Sequence, residues 1–203
     1  MGNNKKSATK GYIFFIILVS FFMAVFFIVV SEILTKKLES LIVSLLILIV
    51  IILTGILFDI LGTAATAATE MPFHAKAAKK VNGSRESIYL VRNADKVANF
   101  ANDVIGDIAG TVSGALGISL VLYITTRIQN LDQLYLTVLI TATIAALTVG
   151  GKAAGKKTAV IHANEIIFLA GKIIFRIEQI TGIKIFGNNA KKPRTKKRKS
   201  KEQ

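Results

Sequence analysis

Apolar positions fill this chain in four long runs, too continuous for the helices of a soluble domain. Residues 11–34 form a nearly unbroken run rich in Phe, and residues 41–57 form a second that continues through small residues to Glu70. A third extends from about Phe100 to Thr126, and a fourth from Leu134 to Val149, stopping at Gly150-Gly151-Lys152. A helix rises about 1.5 Å per residue, so roughly 20 residues cross a hydrocarbon core of about 30 Å. The pattern predicts an all-α polytopic membrane protein with four transmembrane helices.

The intervening segments differ in kind. Residues 1–10 are polar and basic. Residues 71–99 are charged and Ala-rich, with a turn signal at Asn82-Gly83, and predict a helical hairpin outside the membrane. In residues 153–186, Val160, Ile161, Ile166, Ile167, Leu169, Ile173, Ile174, Phe175, Ile177 and Ile180 alternate with His162, Glu165, Lys172, Arg176 and Glu178. That alternation suits an amphipathic juxtamembrane helix lying along the interface better than a fifth span. Residues 187–203 form a basic tail expected to be disordered. The first run competes with a cleaved signal peptide, but its apolar core is too long and no small-x-small site precedes Thr35-Lys36-Lys37. Met1-Gly2 does not signal myristoylation, because residue 6 is Lys where that pattern needs Ser or Thr.

Charge sharpens the topology. The 203 residues carry a formal net charge of +14, and the absence of Cys excludes a catalytic thiol, a disulfide or a thiolate metal site. Four spans put the N-terminus, the 71–99 hairpin and the whole C-terminal third on one side, with nearly all the Lys and Arg. The positive-inside rule makes that side cytoplasmic, with the Lys36-Lys37 loop as the discordant pair. Anionic lipid headgroups are the expected partner of the basic tail. Nucleic acid is not expected, because the tail has no interleaved aromatic residues for base stacking.

Three polar clusters lie within or beside the apolar runs: Asp59 with Thr63 and Thr66; Asn99, Asn102, Asp103 and Asp107; and Gly150-Gly151-Lys152. A charge at membrane depth costs on the order of 3 kcal/mol even on mild insertion scales, so such groups face a bundle interior, pair, or line a pathway. On a helix Asp59, Thr63 and Thr66 share one face, flanked by Gly62, Ala64, Ala65, Ala67 and Ala68. That face reads either as an oxygen-rich ion site or as a packing seam of small residues. Asp103 and Asp107 also read as carboxylates at a helix N-terminus, where the dipole favours them. The row Gly106, Gly110, Gly114 predicts close helix packing and a homodimer through Gly/Ala faces. His74 and His162 stand far apart, no nucleophile triad or phosphate loop appears, and an enzyme is not expected.

The order of these clusters resembles the transmembrane domain of the CNNM/CorB/CorC magnesium transporters. The family's first break, Ser-Ala-x-Phe-Ser-Gly-x-Glu-x-Ala, is similar to Asp59-Ile-Leu-Gly-Thr-Ala-Ala-Thr-Ala-Ala, with Asp59 and Thr63 in the two Ser places and Thr66 in the Glu place. Its Ile-Gly-Asn element resembles Phe100-Ala101-Asn102. Its Gly-Glu-Ile-x-Pro-Lys corner resembles Gly151-Lys152-Ala153-Ala154-Gly155-Lys156, followed by Asn164-Glu165. The resemblance covers roughly residues 41–180, with a module at 41–152 and an additional transmembrane helix at 11–34. It implies handling of Mg²⁺ or Co²⁺ by Asp59, Thr63, Thr66, Asn102 and backbone near Gly151.

The departures point the other way. Both family glutamates are lost, and Lys152 puts an ammonium where a dehydrated Mg²⁺ wants oxygen. Coulomb attraction suggests that Lys152 pairs with Asp59 or Asp103 as a tethered cation. The cytoplasmic CBS pair and terminal domain are not seen, so ATP regulation is not expected. Two functions follow: a divalent-cation carrier or sensor, or a non-transporting membrane scaffold with a degenerate ion site and a basic lipid- or protein-binding tail.

Overall fold

The computed structural model describes residues 3–38, 40–128 and 132–182, and every regular element among them is helical. In chain order these are α1 (Asn3–Leu38), α2 (Leu41–Ala67), α3 (Met71–Ala78), α4 (Ser84–Arg92), α5 (Ala94–Ala98), a π-helical segment (Asn99–Gly106), α6 (Asp107–Arg127), α7 (Gln133–Ile161) and α8 (Ala163–Thr181). Four stretches are long and apolar enough to cross a membrane: Ile13–Val30 within α1, Leu41–Ala67, Ala94–Arg127 and Gln133–Ile161. The chain thus fits a multi-pass membrane protein. The basic tail at 187–203 lies outside the described residues.

The long helices are apolar on nearly all sides, so packing rather than amphipathicity decides which face turns inward. α2 is the centre and touches α1, α6, α7, α8 and the π-helical segment. Leu48, Ile51 and Ile52 meet Val104, Ile108, Val112 and Leu116 in a shared core, closed by Ile144 of α7 and lined by Val19, Met23 and Phe27 of α1. Glycine sets the closest approaches. Ile56 and Ile60, one turn apart on α2, seat against Gly151 and Gly155, one turn apart on α7, where a Cβ would collide with them. Hydroxyls inside these helices bond back to their own turn, as Thr54 Oγ1 donates to Val50 O at 2.7 Å and Ser113 Oγ to Ala109 O at 2.7 Å.

A second core, built from Ala64, Ala65, Phe73, Leu90, Ala159, Ala163 and Ile167, ties the ends of α2 and α7 to α3, α4 and α8. The turn signal at Asn82-Gly83 holds: Gly83 takes the left-handed conformation at φ 84° and starts α4. That loop backbone then lies on α8, where Gly83 and Ser87 press on Gly171 and Ser87 Oγ donates to Ile167 O at 3.2 Å. Asn164 Oδ1 accepts from Thr69 N at 3.0 Å, so α8 satisfies a backbone N–H just past the end of α2. Glu70 accepts from Arg92 Nε at 2.9 Å and contacts His74 Nε2 at 3.0 Å, bracing α3 against α4.

Several boundaries differ from the sequence reading. α1 begins at Asn3, so most of the polar 1–10 segment is helical. The fourth helix does not stop at Gly150-Gly151-Lys152 but runs to Ile161, because Gly151 and Gly155 gain packing against α2 and the intervening alanines favour helix. Residues 153–161 therefore belong to α7, and the separate helix that follows is α8, shorter than the 153–186 expected and capped by Gly182 with φ 67°. The third apolar helix is continuous with α5 through the π-helical segment.

Candidate functional site

Some members of the polar clusters lie where α2 packs against the π-helical segment and α7. Asp59 is 3% exposed on α2. Its partner is Lys156, whose Nζ stands 3.7 Å from Asp59 Oδ2 across the α2–α7 contact. The distance is that of an ion pair rather than a hydrogen bond, and Oδ2 has no hydrogen-bond donor.

One turn along α2, Gly62 lies directly under Asn102 of the π-helical segment, so closely that a Cβ there would overlap the carboxamide. Asn102 Oδ1 is buried and accepts no hydrogen bond. Two oxygen acceptors on facing helices are thus left unsatisfied near positions 59 and 62 of one α2 face. A buried acceptor without a donor costs about 1–3 kcal/mol, which a cation or an ordered water in the seam would recover. Thr148 Oγ1 of α7 is a third buried oxygen without a partner.

Lys152 takes a different place from the one expected. Its ammonium donates to Gly106 O at 3.1 Å and to Asp107 Oδ1 at 3.3 Å. It pairs with neither Asp59 nor Asp103. The reason is register: α7 continues as a helix past residue 152, so positions 152 and 156 both face the α2–α6 seam, and Lys156 is the residue level with Asp59. Lys152 is largely buried, whereas Asp107 is 72% exposed. Gly106 ends the π-helical segment and lies close to Gly55 of α2. The lysine therefore braces a point where three backbones converge.

The remaining expected residues divide. Thr63 is half-buried on the α2 face, but Thr66 is exposed and its hydroxyl donates to Thr63 O of its own helix at 2.9 Å. Gly151 is filled by Ile56, so its role is packing. Asp103 is exposed. Asp103 and Asp107 do not open a helix, since the helical rod begins at Ala94, so the dipole account of these carboxylates does not hold. Gly106 of the predicted glycine row packs against α2, whereas Gly110 and Gly114 meet nothing within 4 Å. His74 contacts Glu70 and His162 contacts Glu165 at 3.3 Å, each within its own turn.

Sequence reasoning named Gly62 as a small packing residue but missed Asn102 as what it carries and Lys156 as the partner of Asp59. The spacing Lys152-x-x-x-Lys156 was the available signal for that lysine, since both share a face once α7 is continuous. No group of three or more His, Asp or Glu able to hold a metal ion occurs among the described residues. No protein-family model, curated protein or solved structure matches this chain.

Proposed function

We propose that this chain is an integral membrane protein that handles a divalent cation such as Mg²⁺ or Co²⁺ at the seam of α2, the π-helical segment and α7. The single observation that carries the reading is the pair of buried, unsatisfied oxygens, Asp59 Oδ2 and Asn102 Oδ1, on facing helices. A carboxylate and a carboxamide supply two hard oxygen ligands, and Mg²⁺ keeps several waters when the protein offers few. Lys156 is half-exposed and ends in a flexible stem, so it can leave Asp59 to an incoming ion. The ion then exchanges with a tethered ammonium, and the pair's neutral charge gives way to a net charge of about +1 that the ion's retained waters spread. The resemblance of residues 41–180 to the CNNM/CorB/CorC transmembrane domain supports this assignment, with both termini cytoplasmic under the positive-inside rule.

The second reading is a non-transporting scaffold, favoured by Lys152 and Lys156, which already neutralise Asp107 and Asp59. One set of measurements separates them. Proteoliposomes containing the full chain, assayed for Mg²⁺ and Co²⁺ flux, are expected to show flux that Asp59→Asn abolishes. Heat protection of the purified protein by Mg²⁺ is expected in the wild type and to increase in Lys156→Met. Wild type without flux or protection, together with a strongly protected Lys156→Met, establishes the tethered-cation scaffold instead. Wild type and Asp59→Asn with equal flux overturn the assignment of the site.

A further inference from the structure

α8 presents a face that the α2–α7 seam does not use. Ala163, Ile167 and Gly171 are buried against α2 and α4. Next around the helix come Leu169, Ile173, Ile177 and Ile180, at i, i+4, i+8 and i+11, which form one stripe, and all four are exposed. On the far side of that stripe follow the exposed cations Lys172 and Arg176, with the exposed Glu165 on the same side about two turns earlier, beside His162. The order around the helix is therefore protein contact, open apolar stripe, cationic band.

The cationic band is reinforced from another helix. Phe168 of α8 holds Lys76 of α3 with its Nζ 3.6 Å from the ring centroid, and Lys172 with its Nζ at 4.6 Å. The two ammonium groups are thus no more than about 8 Å apart. Neither has a carboxylate partner among the described residues. Two unneutralised cations at this separation attract an anion with a phosphate-sized headgroup.

Height places this patch at a membrane surface. α7 has 29 residues, roughly 44 Å of helix against a hydrocarbon core of about 30 Å, so its last turns emerge into the headgroup layer. α8 starts after the single residue His162. Val160 and Ile161 at the end of α7 are exposed as well.

We propose that α8 lies in the headgroup layer of the same bilayer, its Leu169, Ile173, Ile177 and Ile180 stripe in the acyl boundary, and that Lys76, Phe168 and Lys172 clamp the phosphate of an anionic phospholipid. The apolar stripe supplies insertion and the cations select the charge of the lipid. The proposal needs only that the long helices cross a membrane, and it stands or falls separately from the cation site.

The chain has no Cys, so single cysteines report cleanly. Nitroxides at Ile173→Cys and Ile177→Cys, in the full chain reconstituted with phosphatidylglycerol, are expected to collide with oxygen and be shielded from a water-soluble nickel chelate. A label at Gln179→Cys is expected to behave the opposite way. Native mass spectrometry with added phosphatidylglycerol is expected to show preferential retention over phosphatidylcholine, falling about fivefold for each of Lys76→Gln and Lys172→Gln. Nickel accessibility at 173 equal to that at 179 overturns the proposal, because the stripe is then in water. Dipolar broadening between the 173 labels of two copies also overturns it, because the stripe is then a protein interface. Equal retention of the two lipids by wild type removes the phosphate clamp.

Discussion

The carboxamide of Asn102 rests on Gly62, with no room for a methyl group between the two helices. Gly62→Ala must therefore push the π-helical segment away from α2 or turn Asn102 out of the seam. Overpacking of this kind costs about 1–3 kcal/mol. The expected result is a lower thermal midpoint in detergent and loss of any Mg²⁺ protection. A control at the uncrowded Gly150 is expected to leave both unchanged.

Lys156 competes with an incoming cation for Asp59. Removing the ammonium while keeping its stem, as in Lys156→Met, is expected to destabilise the protein without added cation, because the buried carboxylate loses its counter-charge. The same variant is expected to bind Mg²⁺ about tenfold more tightly, a difference of about 1.4 kcal/mol. Calorimetric titration alongside thermal unfolding measures both. Asp59→Asn combined with Lys156→Met is expected to recover stability and to lose the cation response.

Lys152 acts on backbone rather than on the Asp59 site. Lys152→Met leaves Gly106 O without this donor where the π-helical segment passes into α6, at a cost of about 1–3 kcal/mol. Hydrogen exchange at residues 99–107 is expected to accelerate selectively. Lys152→Arg, which retains donors, is expected to preserve most of the protection.

Glu70 is held below the usual carboxylate range by hydrogen bonds first from His74 and then from Arg92. Its pKa is lower folded than unfolded, so the stabilisation is fully present above about 4.5 and is lost as pH falls through the folded value. Acidification below pH 4.5 is expected to loosen α3 from α4 before the long helices are affected. Glu70→Gln is expected to remove that pH dependence, which proteolysis at the 79–83 turn across a pH series measures.

Glycine rows separate packed from open faces. Gly171→Ala drives a methyl into Gly83 O and Ser87 Oγ and is expected to release α8 from α4, with a loss of about 1–3 kcal/mol. Gly110→Ala and Gly114→Ala meet nothing in the single chain and are expected to leave its stability unchanged or raised. If two copies associate through this open face, as the glycine row suggests, cross-linking falls in Gly114→Ala while the fold persists.

Helix class, the number of long apolar helices and their approximate limits follow from the sequence alone, because hydrophobicity over about 20 residues is a local property and nothing distant has to be known. The turn at Gly83 is legible for the same reason. So is the special character of Asp59 and Asn102, since polar groups inside apolar runs stand out by composition. What the sequence leaves undecided is pairing. Lys152 against Asp107, Lys156 against Asp59 and Asn102 against Gly62 depend on the vertical register of α7 and the π-helical segment along α2. That register is set by Ile56 and Ile60 seating on Gly151 and Gly155, a contact between residues about 95 positions apart. A helix that is apolar on all sides carries no mark of which face turns inward, so tertiary packing alone chose it.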